Sequence, residues 1–470
     1  SSLRLIKCSS LKLTSSIDMT LDLGVKDIDM SEGSDDVSNM SEESDDVNIN
    51  KDHSLRSSGW AMTSVIIVGN SVGTGVLSLS RALAQLGWGP GLVCLGLAGP
   101  FFWLAGYYVM QTHLYIDGKG ESARTYGDFA GVLAGPVARK YGYGLVYTLA
   151  FMVTGGYMLT LANSIQQIFY DVHLCLPVAS LAAFALVLPG TQLRTLHLIA
   201  PHAMVSFVAL LVVIAICLYF LLSDSASCDY EPPRSLNFWG AFNSVGSFVW
   251  SYSGVSYYPE MLAEMKRPQD FARKSLGFAI VAMTGLYALV SITTYATCGD
   301  GTPPSIVLVI PKGPWLRIAS IFMVYHIIVA YLINSQVLIR GIVTACGWDK
   351  ALEPGFQGRA RWFAISTVFT ALAYLIADVI PQFDNLNDLT GNVCCTQGCL
   401  ILPPLFFFLV QRVAPWPDSA CKTALTILGW PMIVSGIFLF FAGTTGSIMT
   451  IWQDAHADDS RRPFACQALS

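Results

Sequence analysis

Long apolar runs broken by short polar segments dominate this chain from residue 59 onward. About 20 apolar residues span a ~30 Å hydrocarbon core. On that measure the runs predict eleven membrane helices at about 60–80, 91–115, 144–170, 177–190, 196–222, 238–262, 275–297, 315–345, 359–380, 388–411 and 422–450. The fourth is short and stops at Pro189-Gly190. A soluble domain could bury one or two such segments but could not cover eleven. The expected class is an all-α, multi-pass membrane protein, with the lipid bilayer as its solvent.

Charge then sets the orientation. Lys and Arg mark the cytoplasmic side of a membrane protein. With the N-terminus inside, loops and adjoining helix ends on the inner side collect seventeen Lys/Arg and the outer side five. Deleting the short fourth helix would turn the basic loops 263–274 and 346–358 outward, which argues for keeping it. The eleven-helix, N-inside, C-outside arrangement is therefore the expectation.

Composition refines this. Charged residues make up only 13% of the chain, against about 25% in ordinary soluble domains. The acidic excess sits in residues 1–58, where twelve acids and six bases give −6, while 59–470 carries +1. Residues 1–58 are Ser-rich, contain the near-repeat MSEGSDDVSN/MSEESDDVNI from Met30, and lack the apolar surface needed to fold alone. They are expected to form a disordered cytoplasmic tail, followed by a transmembrane domain over 59–450 and a short C-terminal tail over 451–470. Ser34 and Ser44, each before paired acids, suit an acid-directed kinase. On the outer side lie Cys175, Cys228, Cys298 and Cys466. An oxidising compartment would permit disulfides there, Cys228 with Cys298 among them, but four cysteines allow three pairings.

Two helices carry an unusual interior. The first contains Gly69-Asn-Ser-Val-Gly-Thr-Gly75, and the sixth contains Ser251-Tyr-Ser-Gly-Val-Ser256 followed by Pro259. Small residues in mid-span serve helix packing in many membrane proteins. Glycine also lets the backbone leave helical geometry and approach a ligand. Gly-interrupted segments at matching places in two halves point to a substrate site built from broken helices. These two lie five helices apart, the spacing of a five-plus-five inverted repeat. Freed carbonyls and N–H groups at such breaks match an ammonium and a carboxylate.

At these residues a family resemblance enters. Val72-Gly-Thr-Gly-Val-Leu-Ser-Leu79 with Ala84-Gln-Leu-Gly-Trp-Gly-Pro-Gly91 resembles the first helix and following loop of the amino acid/auxin permease family, above all its plant lysine–histidine and amino acid permease branches. Met152-Val-Thr-Gly-Gly156 and Phe248-Val-Trp-Ser-Tyr-Ser-Gly254 with Glu260 are similar to that family's third and sixth helices. The resemblance runs over residues 60–411. It implies a leucine-transporter-like fold of ten core helices plus one, alternating access, an amino acid bound between helices one and six, and coupling to a proton or sodium gradient. Carried over by position, Ser71, Val72, Gly73, Thr74 and Gly75 would hold the amino acid's charged groups, and Tyr252, Ser253 and Gly254 would form the facing wall. The chain departs at Ser80-Arg81, where the plant branch commonly has Pro and a neutral residue.

Four residues are candidates for gating or coupling. Arg81 either snorkels to the outer headgroups or lines the outer vestibule. Glu260 and Glu264, beside Lys266 and Arg267, form either an interfacial salt-bridge cluster or an inner gate. His326, with Asn334 on the same helix, is either a structural histidine or part of a proton path. Asn70 could serve sodium. No acid stands out as stranded in mid-membrane. The seven histidines form no zincin-like pair, so an enzyme is not expected, and nothing calls for a cofactor, a metal or a nucleic acid. The main reading is cation-coupled amino acid transport, proton ahead of sodium, in the plasma membrane or a vacuolar or endolysosomal membrane. The alternative is an amino acid sensor signalling through the acidic tail.

Overall fold

The computed structural model describes residues 56, 58–194, 200–232, 238–414, 419–457 and 462–466. Nearly all of the expected acidic tail lies outside these residues. The elements are α1 (Trp60–Ser71), α2 (Thr74–Leu86), α3 (Trp88–Asp117), α4 (Tyr126–Ala134), α5 (Pro136–Ile168), α6 (Leu176–Thr191), α7 (Ala200–Leu222), α8 (Phe238–Ser251), α9 (Tyr258–Glu264), α10 (Gly277–Cys298), α11 (Pro314–Ala345), α12 (Phe356–Val379), α13 (Phe383–Thr390), α14 (Leu402–Val413) and α15 (Ser419–Ala457). A π-helical stretch, Gly391–Ile401, joins α13 to α14. This is an integral, multi-pass membrane protein.

Among the described residues eight helices are long and apolar enough to cross a bilayer, and nine if the bent pair at the first span counts as one. The expected count of eleven exceeds this because α6 has only 16 residues and the sixth run is split into α8 and α9. Two contacts fix where the ends emerge. The backbone of Ser58 pairs with Met265 beside the end of α9, on the face where Arg56 bridges Asp117 at the end of α3. Cys466 is disulfide-bonded to Cys175, in the connection after α5, and the Phe464 N–H donates to the Asp378 carbonyl at the far end of α12. Ser58 and Cys466 thus lie on opposite faces. The second outer pair is Cys228–Cys298, which leaves these four cysteines joined as 175–466 and 228–298.

The interior is a scaffold wrapped around two broken helices. α5 packs along α11 and α12, and α8 packs on α2, α13, the π-helical stretch and α15. The loop expected over 116–143 is not all loop. Thr125 caps α4 by accepting the Asp128 N–H while the Asp128 carboxylate accepts the Thr125 N–H, a reciprocal capping box. Asp378, near the end of α12, is 1% exposed and accepts from Ser180 at 2.9 Å.

Candidate functional site

Both expected breaks are present. α1 stops at Ser71, Val72 and Gly73 leave helical geometry, and α2 starts at Thr74, with a 59° bend across the break. α8 stops at Ser251, a 3₁₀ turn covers Ser253–Tyr257, and α9 follows with Pro259 in its first turn, where a missing N–H does no harm. A helix end leaves carbonyls unpaired and a helix start leaves N–H groups unpaired. The breaks therefore set a negative end, that of α1, beside a positive start, that of α2.

The two breaks touch each other closely. A methyl group at Gly75 would sit 2.8 Å from the Ser251 Cα, and one at Gly254 would sit 2.4 Å from the Ser71 hydroxyl. Only glycine fits against the Ser251 backbone, whereas at Gly254 the Ser71 hydroxyl would have to turn aside. Tyr287 of α10 seals the crossing: its hydroxyl lies 2.8 Å from the Ser251 carbonyl and 3.1 Å from the Ser71 carbonyl. The Ser251 hydroxyl reaches the Gly75 carbonyl at 3.3 Å.

Beside the crossing is a cavity of about 20 Å³. It is lined by Asn70, Ser71, Gly73 and Gly75 from the first break and by Trp250, Ser253 and Tyr257 from the second, with Val153, Tyr157 and Asn334 closing it from α5 and α11. Three buried polar atoms of this lining, the Ser71 hydroxyl, the Trp250 indole N–H and the Tyr257 hydroxyl, have no hydrogen-bond partner. Buried polar groups are nearly always paired, so orphans gathered at one cavity make it the candidate site for a polar ligand. The space holds about one water molecule. A molecule larger than water does not fit in it. A larger cavity of about 210 Å³ lies toward the outer face, between α5, α11 and the segments 304–308 and 381–383, with Leu77 and Thr160 among its lining.

Of the residues expected to bind, Ser71, Gly73, Gly75 and Ser253 line the small cavity, as does Asn70. Val72 is fully buried outside it, and Gly254 is the packing contact on Ser71. Thr74 opens α2, and its side chain lies outside the described ones. Tyr252 turns away: it stacks on Phe102 with ring centroids 4.8 Å apart, and its hydroxyl bonds Thr284 at 2.7 Å. Trp250, Tyr257, Val153 and Tyr157 are lining residues that the sequence reading did not single out. The first two flank the Tyr252-Ser253 pair that it did, so the helix rotation alone was missing.

The gating candidates fall in separate places. Arg81 donates to the carbonyls of Asp300 and Thr302 at 2.9 and 3.0 Å, fastening α2 to the turn after α10. Among the described residues Glu260 and Glu264 form no ion pair with Lys266 or Arg267; the ion pairs on that face are Arg56 with Asp117 and Lys274 with Asp270. There the Ser58 N–H donates to the Glu264 carbonyl and the Lys266 N–H to the Ser58 carbonyl, while Ser275 donates to the Trp60 carbonyl, all at 3.0 Å. These contacts stitch the inner end of α1 to the inner ends of α9 and α10. His326 lies between α11 and α7, bonded to Ser206 at 2.9 Å and outside the cavity lining.

A buried acid does exist. Asp388 of α13 is 1% exposed, accepts from the Asn243 amide at 2.8 Å and accepts from the Ser247 hydroxyl. Reading the tenth helix from residue 388 placed this acid at a helix end. The helix begins at Phe383, and Asn387 beside it reaches Ser78 in the middle of α2.

A family model described as transmembrane amino acid transporter protein matches residues 56–449. Amino acid transporter AVT1B of Arabidopsis thaliana is 25% identical over 373 residues, 76% of this chain and 66% of that protein, just under two thirds of its length. Lysine histidine transporter-like 1 of the same plant is 22% identical, covering 85% of this chain and 89% of its own. The vesicular inhibitory amino acid transporter of Rattus norvegicus is 24% identical over 58% of this chain and 54% of its own. Two solved structures share the fold at a TM-score of 0.52: MhsT in complex with L-phenylalanine, at 14% identity over 81% of this chain and 98% of its own, and Mhp1 in an inward-facing conformation, at 12% over 85% and 92%. At these identities the likeness is one of fold, and the fold is the leucine-transporter-like one.

Proposed function

Given that the chain belongs to the transmembrane amino acid transporter protein family, we propose that it carries amino acids across a membrane by alternating access, coupled to a proton gradient in preference to sodium. The observation that carries this reading is the cavity at the crossing of the two breaks, with three buried, unpartnered polar atoms on residues that line it. The start of α2 offers N–H groups to a carboxylate, and the end of α1 offers carbonyls to an ammonium. The Ser71 and Tyr257 hydroxyls and the Trp250 indole complete the polar lining. The names of AVT1B and lysine histidine transporter-like 1 favour an amino acid as the cargo. The larger outer cavity gives that cargo an approach, and parting of α1 from α9 at the inner stitch gives it an exit.

The test is uptake of a mixed panel of labelled amino acids by liposomes containing the purified full chain, with an imposed proton gradient, a sodium gradient or neither. Saturable uptake driven by the proton gradient is expected. Gly73→Trp, which fills the cavity, is expected to abolish it. Neither binding nor flux across the whole panel would overturn the reading.

A further inference from the structure

We infer that Asp388 is the proton-carrying residue, taking up one proton per transport cycle and, through it, setting the position of the outer half of the broken sixth helix. This rests on the proton-coupled reading above and names the group that carries it out.

The argument is geometric. Asp388 is enclosed between α8, α2, α5 and α15, and its carboxylate is met by neutral donors alone: the Asn243 amide on one oxygen and the Ser247 hydroxyl on the other. Among the described residues no Lys, Arg or His pairs with it. The charged groups facing this stretch are Asp384, one turn outward on α13, Arg81 from α2 and Asp454 from α15. Arg81 is committed to the Asp300 and Thr302 carbonyls, and Asp454 accepts from Asn385. α8 brings only amides and hydroxyls, while α5 presents Gly156, and its Tyr157 turns to Asn334. A full negative charge buried there with no direct ion pair is unfavourable, even with Arg81 attracting it from α2, and gaining a proton relieves it.

The same carboxylate is wired to the substrate site. Asn243 and Ser247 stand on α8, and Ser247 is one turn before Ser251, whose hydroxyl donates to the Ser247 carbonyl at 2.8 Å and reaches the Gly75 carbonyl. The α8 backbone lies flush on α13 and the π-helical stretch: a methyl group at Gly246 would meet the Asp388 carbonyl at 2.5 Å. An ionised Asp388 therefore holds α8 by two donors. When the carboxylate binds a proton from the outer side, Asn243 and Ser247 lose the charge they were donating to, and α8 is freed to tilt at its break. Releasing that proton inward restores the hold. One carboxylate gains and loses one proton, and no other co-reactant is needed.

The experiment uses full-chain proteoliposomes and two readouts: accumulation driven by a pH gradient, and gradient-free exchange of labelled for unlabelled amino acid. Asp388→Asn is expected to keep exchange and to lose accumulation, down to the level without a gradient. Ser247→Ala removes a donor that favours the ionised form, so proton binding shifts to higher pH, and the pH of half-maximal uptake is expected to rise by about one unit. If the unsubstituted protein shows exchange but no pH-driven accumulation, the proton-coupled reading itself fails. If it accumulates and Asp388→Asn accumulates equally, the assignment to Asp388 is overturned. If Asp388→Asn exchanges nothing, the Ser247→Ala profile decides, and an unmoved profile overturns the assignment. Loss of exchange in both variants would give the cluster a folding role and overturn it as well.

Discussion

The hydroxyl of Tyr287 lies 2.8 Å from the carbonyl of Ser251, and the same oxygen lies 3.1 Å from the carbonyl of Ser71. One side chain on an unbroken helix thus clamps the ends of both broken ones. The phenol is fully buried, so each carbonyl it serves would otherwise face a dry interior. Tyr287→Phe removes the one proton that the two carbonyls share and leaves a buried acceptor short. The expected loss of stability is about 1–3 kcal/mol, the cost of an unmet buried polar group. Because the clamp sits at the breaks, substrate binding should weaken as well. Thermal unfolding with and without amino acid checks both, and a variant with unchanged melting and unchanged affinity would remove Tyr287 from this role.

Three glycines around the crossing should behave differently. A methyl group at Gly75 meets the Ser251 backbone, which cannot swing aside. Gly75→Ala should therefore push the two breaks apart, at a cost of about 1–3 kcal/mol, the usual cost of overpacking. Gly254→Ala meets the Ser71 hydroxyl, a side chain that can rotate, so its effect on folding should be smaller. Gly73 faces open space, with nothing within 4 Å of an added methyl group. Gly73→Ala should fold normally. Expression level, melting temperature and uptake, measured side by side, test the order Gly75, Gly254, Gly73 for damage to the fold.

These contrasts show how far the sequence could be read. The two breaks were legible because glycine and serine interrupt apolar runs at 69–75 and 251–256, a signal that depends on local composition alone. The lining from Tyr157 and Asn334 was not, since it depends on how α5 and α11 are rotated about their axes, and an all-round apolar helix does not betray its rotation. Asp388 was hidden for another reason. A hydropathy window treats an acid as the place where a span begins, whereas here Asn243 and Ser247 on a distant segment satisfy the acid and let the helix start five residues earlier. Helix α4 is the opposite case: its Thr125-x-x-Asp128 cap was written plainly within a stretch read as loop.

The inner stitch yields a conformational prediction. Arg56 and Asp117 form a partly exposed ion pair, worth about 1 kcal/mol or less, a factor of about five in population. Asp117→Asn should leave the fold intact but release the inner end of α1 more often. The readout is Ser253→Cys, placed in the cavity lining, with exposed Cys346 changed to Ser to remove background. A membrane-impermeant maleimide added to the inner face should label this cysteine several-fold faster when Asp117 is Asn. Equal rates would mean that the backbone contacts of Ser58 with Glu264 and Lys266 hold the inner end without help from the ion pair.

The disulfides tie this architecture to its compartment. Cys228–Cys298 closes a loop of 70 residues and holds the turn whose Asp300 and Thr302 carbonyls receive Arg81. Cys175–Cys466 spans 291 residues and pins the C-terminal segment to the connection after α5. Both persist only where that face meets an oxidising space. Removing a disulfide of this kind typically lowers stability by about 2–4 kcal/mol. Cys298→Ser should therefore lower the melting temperature and, by loosening the turn that anchors Arg81, raise mobility at the outer end of α2. Cys466→Ser should lower the melting temperature while sparing the Arg81 anchor, because its bridge lies at the far ends of α5 and α12. Hydrogen exchange over residues 74–86 separates the two variants: faster exchange in Cys298→Ser alone is the expected result. Equal exchange in both would mean that the Arg81 bonds hold the turn without the disulfide.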